Sequence, residues 1–544
     1  MNLPAIALGV GLHVFYFRKF EHHMYGVRYL QLFLSSVLFS TYWLMFSSKQ
    51  SLTQCFLESL PPHIYLLLGI YASLVTYRLL LHPLRRFPGP FPAKISSLWF
   101  STQLGKSEAH KKILALHLKY GPFVRIGSSD LSIAHPLGVT AVYGPKSACR
   151  KASWYDEDHP RASIHTTRDH EFHARRRRVW SHAFSDKALR GYEVRIAKYT
   201  ARLIAKLEQA DGAAINVSQW FKHFSFDVMG DLAFAKDFGM LKSGQEHWAV
   251  GLLNEALGVQ AMKLPTWIFR IIVAVPGLTR NYWKFIRYCD EQLDQRIKSK
   301  AEVPDLMSTL LEHAGSRPIS PDEYTTLQAD SRTIIVAGSD TTAATLAHVF
   351  YQLARHPGQV RKVREELKEV LGDFSSASPS LENRKLQHAD HINAVIYETL
   401  RLHPAVPSAI VRKTPPEGIR VGETYIPGDM NVWCPQYVLG RLEDVYEKPL
   451  EFLPERWYTQ PEMVREKSAF APFLVGTYGC IGRPLAMMEM RAVIAEIVMR
   501  YDVDFVEGDD GEAFIEGTSD QFTLHLAHLD LRFRCREKAQ KTSH

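Results

Sequence analysis

Phe473-Leu-Val-Gly476-Thr-Tyr478-Gly479-Cys480-Ile-Gly482-Arg-Pro-Leu-Ala486 is the stretch whose reading decides the fold. A single cysteine sits in a loop with three glycines, and the apolar residues after it (Leu485, Met488, Ile494, Ile497) recur with helical spacing. The loop therefore delivers Cys480 just before a helix starts, where free N–H groups and the helix dipole favour a thiolate over a thiol. The glycines let the backbone turn tightly and approach a flat ligand closely. Such a loop suits a metal-bound thiolate; the plain alternative is a buried structural cysteine.

Upstream, Asp330 to Arg355 carries apolar residues on most sides (Ile334, Ile335, Val336, Leu346, Val349, Phe350), the mark of a helix running through the interior. Its middle reads Ala337-Gly338-Ser339-Asp340-Thr341-Thr342, which weakens a helix, and threonine can bond the carbonyl four residues back. A local opening is expected there. Further on, Glu398 and Arg401 stand three residues apart on a helix, so acid and base share a face. Pro454-Glu-Arg456-Trp457 follows before the cysteine loop.

These stretches resemble, in kind and in order, the cytochrome P-450 family of haem-thiolate monooxygenases. The family's haem loop reads F-x-x-G-x-x-x-C-x-G, matched by Phe473, Gly476, Cys480 and Gly482. The Ala337–Thr342 stretch resembles its oxygen-binding groove, and Glu398, Arg401 and Arg456 its buried structural network. The resemblance implies a mainly α fold with a minor β part, over a catalytic domain of residues 95–544. It implies haem b with Cys480 as the axial thiolate, and Asp340 and Thr341 passing protons. Arg412 and Arg177 would bond the haem propionates. Arg177 is placed by aligning Ser181-His-Ala-Phe184, with His173 standing where the family has tryptophan; Arg175, Arg176 and Arg178 are read as a solvated basic face. Tyr478 replaces the usual basic residue two places before the cysteine, so at most it adds a neutral hydrogen bond.

By the same resemblance the reaction is insertion of one oxygen atom from O2 into a lipophilic small molecule. Electrons would come from NADPH through a flavin-bearing reductase, or through a cytochrome b5-like donor, in fungal secondary-metabolite biosynthesis. Two other readings stay open: a same-fold isomerase or peroxide-rearranging enzyme that does not use O2, and a membrane haem protein that only carries electrons or binds a ligand.

The first eighty residues hold three apolar stretches, Leu3 to Phe17, Tyr29 to Phe46 and Ile64 to Leu81. The second and third are long enough to span a bilayer, while the first is a span or an interfacial helix. Residues 1–82 thus form a membrane anchor. Arg18, Lys19 and Arg28 lie in the first loop and Arg78, Arg85 and Arg86 follow the third stretch, against Lys49 and Glu58 in the second loop. The positive-inside rule then puts the catalytic domain on the cytosolic side of the endoplasmic reticulum membrane. Residues 83–94 include Phe87-Pro-Gly-Pro-Phe-Pro92 and are expected as a stiff, extended hinge.

Strands are expected at Phe123 to Ile133, and Gly422 to Pro427 with Met430 to Cys434 in a second small sheet. Leu264 to Leu278 is apolar but too short and proline-bounded to span, leaving a buried helix or an interfacial one. Six scattered cysteines, with no short spacing between them, indicate neither a zinc site nor a disulfide framework. A dispersed net charge of +8 gives no reason to expect nucleic acid as a partner.

Overall fold

The computed structural model describes residues 2–48, 50–105, 107–299, 303–314, 318–372, 382–408 and 410–536. Helices dominate and strands are short, as expected of a mainly α chain. The 35-residue helix Pro321–Arg355 is the axis. Ser320 caps it, accepting the Glu323 N–H at 3.2 Å, and Pro321 occupies the first turn, where no amide donor is needed. From Thr342 to Ala354 every residue is buried, because Val217–Phe234, Arg280–Lys298, Asp390–Leu402 and Arg483–Arg500 pack around it. The helix is continuous through Gly338, so the expected opening is absent. What remains of it is the Thr341 hydroxyl donating to the Ala337 carbonyl at 2.9 Å.

The strands Phe123–Arg125 and Asp130–Ile133 pair antiparallel, and Asn431–Trp433 joins them parallel, with Asp130 opposite Asn431. This corrects the expected placing of Met430 to Cys434 in a second sheet. Only Ile419–Val421 and Thr424–Ile426 make the separate hairpin. Composition marks a segment as a strand but does not name its partner. The five-stranded sheet ends with Arg412–Lys413 and Arg150–Lys151, in a register that sets Lys151 opposite Arg412.

Three helices open the chain: Leu3–Leu12 with a π-helical turn His13–Phe17, then Gly26–Ser48, then Leu52–Thr76 continued by Tyr77–Leu81. The segments His23–Ser48 and Leu52–Leu81 are long and apolar enough to cross a membrane. The third helix begins well before Ile64, capped by the Ser51 hydroxyl, so Glu58 lies on the helix and not in a loop. Lys49 is outside the described residues. The first helix packs against the third at Gly9 and Gly69. A Cβ at either would come within 2.3 Å of the other helix's carbonyl oxygens, so small residues permit the crossing.

The proline segment is extended at Phe87 and Pro90, and it is docked on the catalytic part. Pro83–Arg86 forms a 3-10 turn, Phe87 is buried, and the Arg125 N–H donates to the Pro88 carbonyl at 2.7 Å. Burying Phe87 removes the segment's freedom to swing.

Candidate active site

Cys480 stands just before the helix Arg483–Arg500, with Gly482 as its N-cap. The Cys480 N–H donates to the Phe473 carbonyl at 2.7 Å and closes the loop. Gly476 has φ +69°, and a Cβ there would lie 2.5 Å from the Tyr143 carbonyl oxygen, so no other residue fits. Cys480 lines a cavity of about 370 Å³, and the helix residues Gly338 and Thr341 form part of its wall. Burial pushes the Cys480 thiol up, against the opposing pull of the Gly482 and Arg483 N–H groups and the charge of Arg177. The helix-start N–H groups thus pull in the direction the sequence suggests, and burial opposes them.

Cations gather on one side of this cavity. Arg177 donates to the Gly479 carbonyl at 2.8 Å. Arg412, 2% exposed, donates to the Tyr155 hydroxyl at 2.7 Å and to the Val411 carbonyl at 3.1 Å. Lys151, 3% exposed, donates to the carbonyls of Ile164 at 3.1 Å and His165 at 2.6 Å. The Tyr478 ring lies 4.9 Å from both Arg412 and Lys151, and meets the His173 ring edge-on at 4.7 Å. None of these three basic groups has a carboxylate partner among the described residues, and burial together with the charge of Arg412 pushes the Lys151 amine well down. Positive charge buried in this way asks for an anionic ligand. A haem, with two propionates and an iron that takes a thiolate, fits this donor set.

Sequence reasoning missed Lys151. Its signal lies only in the strand register that pairs it with Arg412. It also misplaced Arg176, which is not on a solvated face. Arg176 is 6% exposed, with Nε on Asp330 Oδ2 at 2.6 Å and Nη1 on Glu323 Oε1 at 2.7 Å. Asp330 also accepts from Trp180 Nε1 at 3.1 Å, tying the arginine helix His170–Ala183 to the long helix. Arg175 and Arg178 do face solvent.

Thr341 and Asp340 are adjacent in sequence but divided in space. Thr341 is on the wall of the cysteine cavity, whereas Asp340 lines a second cavity with Lys222, Glu246, Asn254 and His525. Burial, with Glu246 adding to it against Lys222, pushes the Asp340 carboxyl up to about 6. A carboxylic acid the sequence did not suggest, Glu489, lies on the wall of the first cavity. It is 1% exposed, its Oε2 has no partner, and burial pushes it up to about 8.

Glu398, Arg401 and Arg456 come together with no side-chain exposure. Arg401 bonds Glu398 through Nε at 2.9 Å and Nη2 at 2.8 Å, Arg456 Nε reaches Oε1 at 3.0 Å, and Trp457 Nε1 completes the set at 3.0 Å. Ala405, Val406, Ile410 and the tip of the hairpin, Phe522 and Thr523, line the apolar part of the cavity.

The helix Thr266–Ala274 buries Thr266 and Phe269 and exposes Trp267, so it is a surface helix and not a buried one. It packs against the start of Gly26–Ser48, where a Cβ at Gly26 would lie 3.3 Å from the Trp267 carbonyl oxygen. The anchor's first loop is docked as well. Glu21 accepts from Arg168 at 2.8 Å and Lys413 at 2.8 Å, and His23 Nε2 lies 2.7 Å from Asp156. Glu21, His23 and Asp156 converge as metal ligands do, but two cations already neutralise the carboxylates.

A cysteine-loop cavity under a long internal helix defines a haem-thiolate oxygenase, and the chain belongs to the cytochrome P450 family, whose model matches residues 86–532. It is a cytochrome P450 monooxygenase, an oxidoreductase. Among characterised proteins it is 42% identical over 521 residues to the cytochrome P450 monooxygenase notG' of Aspergillus versicolor, covering 96% of this chain and 95% of that one. It is also 42% identical over 529 residues to the tryprostatin B 6-hydroxylase of Aspergillus fumigatus, covering 96% and 94%. Among solved structures, the haem domain of cytochrome P450DA superposes with a TM-score of 0.67 at 19% identity, covering 83% of this chain and 98% of that one, which speaks for the fold alone.

Proposed function

We propose that the enzyme inserts one oxygen atom from O2 into a C–H bond or an alkene of a lipophilic small molecule, as a step in fungal secondary-metabolite biosynthesis. The observation that carries this is the meeting of Cys480, Thr341 and an apolar wall in one cavity beside three basic side chains that have no carboxylate partner among the described residues. Cys480 would ligate the iron, with Phe473, Gly476 and Gly482 shaping its loop. Arg177, Arg412 and Lys151 would neutralise the propionates, with Tyr478 between the last two. When bound, haem supplies the activation of O2 by two electrons and two protons.

The chain's own part is positioning and proton supply. Thr341 holds a hydroxyl proton on the cavity wall, donated at rest to the Ala337 carbonyl. Asp340, half-protonated near pH 6, would take protons from the polar second cavity behind the helix and replenish Thr341. Glu398, Arg401 and Arg456 would hold the cysteine side of the fold without touching substrate.

Electrons would come from NADPH through a flavin-bearing reductase, or a cytochrome b5-like protein, docking near the exposed Arg175 and Arg178 by charge complementarity. We place the enzyme in the endoplasmic reticulum membrane with its catalytic part facing the cytosol. The contacts of Glu21 and His23 with residues 156, 168 and 413 support this, since they keep the positively charged first loop on the catalytic side. Together Asp340 and Thr341 speak against an isomerase, and a pure electron carrier has no use for the apolar cavity.

The test is turnover by the full chain in microsomes with a reductase and NADPH. Tryprostatin B, the compound in the relative's name, is the first candidate substrate. Substrate- and NADPH-dependent O2 uptake with one oxygen added to product supports the reading. Product formed without O2 uptake would replace it by the isomerase.

A further inference from the structure

The turn Ser153–Asp158 carries three acids in a row, and the fold treats them differently. Asp156 accepts from His23 Nε2 at 2.7 Å and from Arg168. Asp158 accepts from the Tyr282 hydroxyl at 3.1 Å and pairs with Arg332. Arg270 clamps the backbone between them, donating to the carbonyls of Asp156 at 2.9 Å and His159 at 3.3 Å. Glu157, in the middle, has neither a hydrogen bond nor an ion pair from its carboxyl among the described residues. It is nevertheless one of the half-buried residues that line the cysteine cavity.

The nearby cation that influences it, Lys263, is already held by Asp520 at 3.1 Å. Two other polar side chains of the cavity lining are committed: Thr333 donates to the Ala329 carbonyl at 2.9 Å and Lys151 to two carbonyls. Around them the lining is apolar, with Trp154, Leu253, Leu257, Phe285 and Ile286. Glu489 is the other unpartnered carboxyl of the cavity, but it lies nine-tenths and more buried within the helix that follows Cys480, not on a turn.

We propose that Glu157 determines specificity by binding a positively charged nitrogen on an otherwise apolar substrate. This deepens the reading of the cavity as the substrate site of a haem-loaded enzyme and rests on it. A carboxylate facing a desolvated cavity without a partner is costly, and a cationic group placed against it forms a charge-assisted contact where water cannot compete. Burial, with Asp158 beside it, pushes the Glu157 carboxyl well up, so the free site lacks the positive charge that would keep it ionised. The flanking ion pairs and the Arg270 clamp fix the turn, so the site is formed before the ligand arrives.

The experiment uses the full haem-loaded chain in lipid nanodiscs and two probes, 4-phenylbutyltrimethylammonium and its neutral carbon isostere, titrated by calorimetry. A quaternary nitrogen has no lone pair for iron, so the comparison reads the wall and not the metal. The wild type is expected to bind the cation about tenfold more tightly than the isostere, the size of one charge-assisted contact. Glu157→Gln should bring the two affinities to within about twofold of each other without weakening the neutral probe, and Glu157→Asp should keep part of the preference. A wild type without preference, or a Gln variant that retains it, would overturn the proposal. Absence of the thiolate signature in the reduced carbonyl complex of the wild type would instead overturn the haem reading, and this inference with it.

Discussion

Single side chains divide the labour around Cys480. The Arg412 guanidinium is the most enclosed of the three unpaired cations, and Tyr478 contributes its ring to that cation and to Lys151. Removing a charge should therefore matter more than removing a hydroxyl. Arg412→Ala is expected to speed haem loss to a scavenger protein strongly, because a propionate is stranded in a poorly solvated place, whereas Tyr478→Phe should change it little. Equal rates would show that the hydroxyl, not the ring, carries the contact. Thr341→Val should leave haem uptake intact and lower product formed per NADPH, with the lost electrons appearing as peroxide, since a methyl replaces the proton-holding hydroxyl. Unchanged coupling would remove Thr341 from the proton path.

At the level of elements, two features stand on periodicity. In Asp390–Leu402 the three-residue spacing puts Glu398 and Arg401 on one face, and the 3-10 turn Pro454–Trp457 brings Arg456 and Trp457 against them. Glu398→Gln leaves two fully buried guanidinium groups without their charge partner, and should destabilise the fold by about 3–5 kcal/mol. Chemical unfolding against the wild type measures it. The surface helix Thr266–Ala274 exposes Trp267 beside the start of the anchor, and Leu278 just beyond it is 63% exposed. A chain beginning at Pro88 is expected still to float with liposomes, and a Trp267→Glu, Leu278→Glu pair to abolish flotation. Flotation unaffected by that pair would assign the membrane contact elsewhere.

Burial pushes the carboxyls of Glu489 and Asp340 up, and this has a pH consequence for the whole molecule. Glu489 titrates near 8 in the fold against an ordinary value of 4.5. Between those values the folded chain holds a proton that the unfolded chain releases, so stability falls as pH rises through that window. The fall is about 1.4 kcal/mol per pH unit for this one group. Asp340 adds a smaller fall that ends near pH 6. Thermal unfolding followed from pH 5 to pH 8 should show the decline, and Glu489→Gln should flatten it. A variant with the wild-type slope would mean that Glu489 finds a partner in solution.

The sequence by itself determined what local spacing encodes. The haem loop, the long internal helix, the Glu398–Arg401 face and the apolar anchor stretches each depend on residues within a few turns of one another, so their pattern survives in one dimension. The tertiary structure alone decided what depends on partners far along the chain. Successive helix residues point about 100° apart. Which of Arg175 to Arg178 meets Asp330, and that Asp340 turns away from the cavity Thr341 lines, is settled by what packs against each side. Lys151 acquires its place beside Arg412 only through strand register. The proline segment, stiff by composition, is docked through Phe87 and the Arg125 bond to Pro88. Glu157 has no partner among the described residues for the same kind of reason. Its two acidic neighbours are neutralised by Arg168 and Arg332, whose approach only the folded chain brings about.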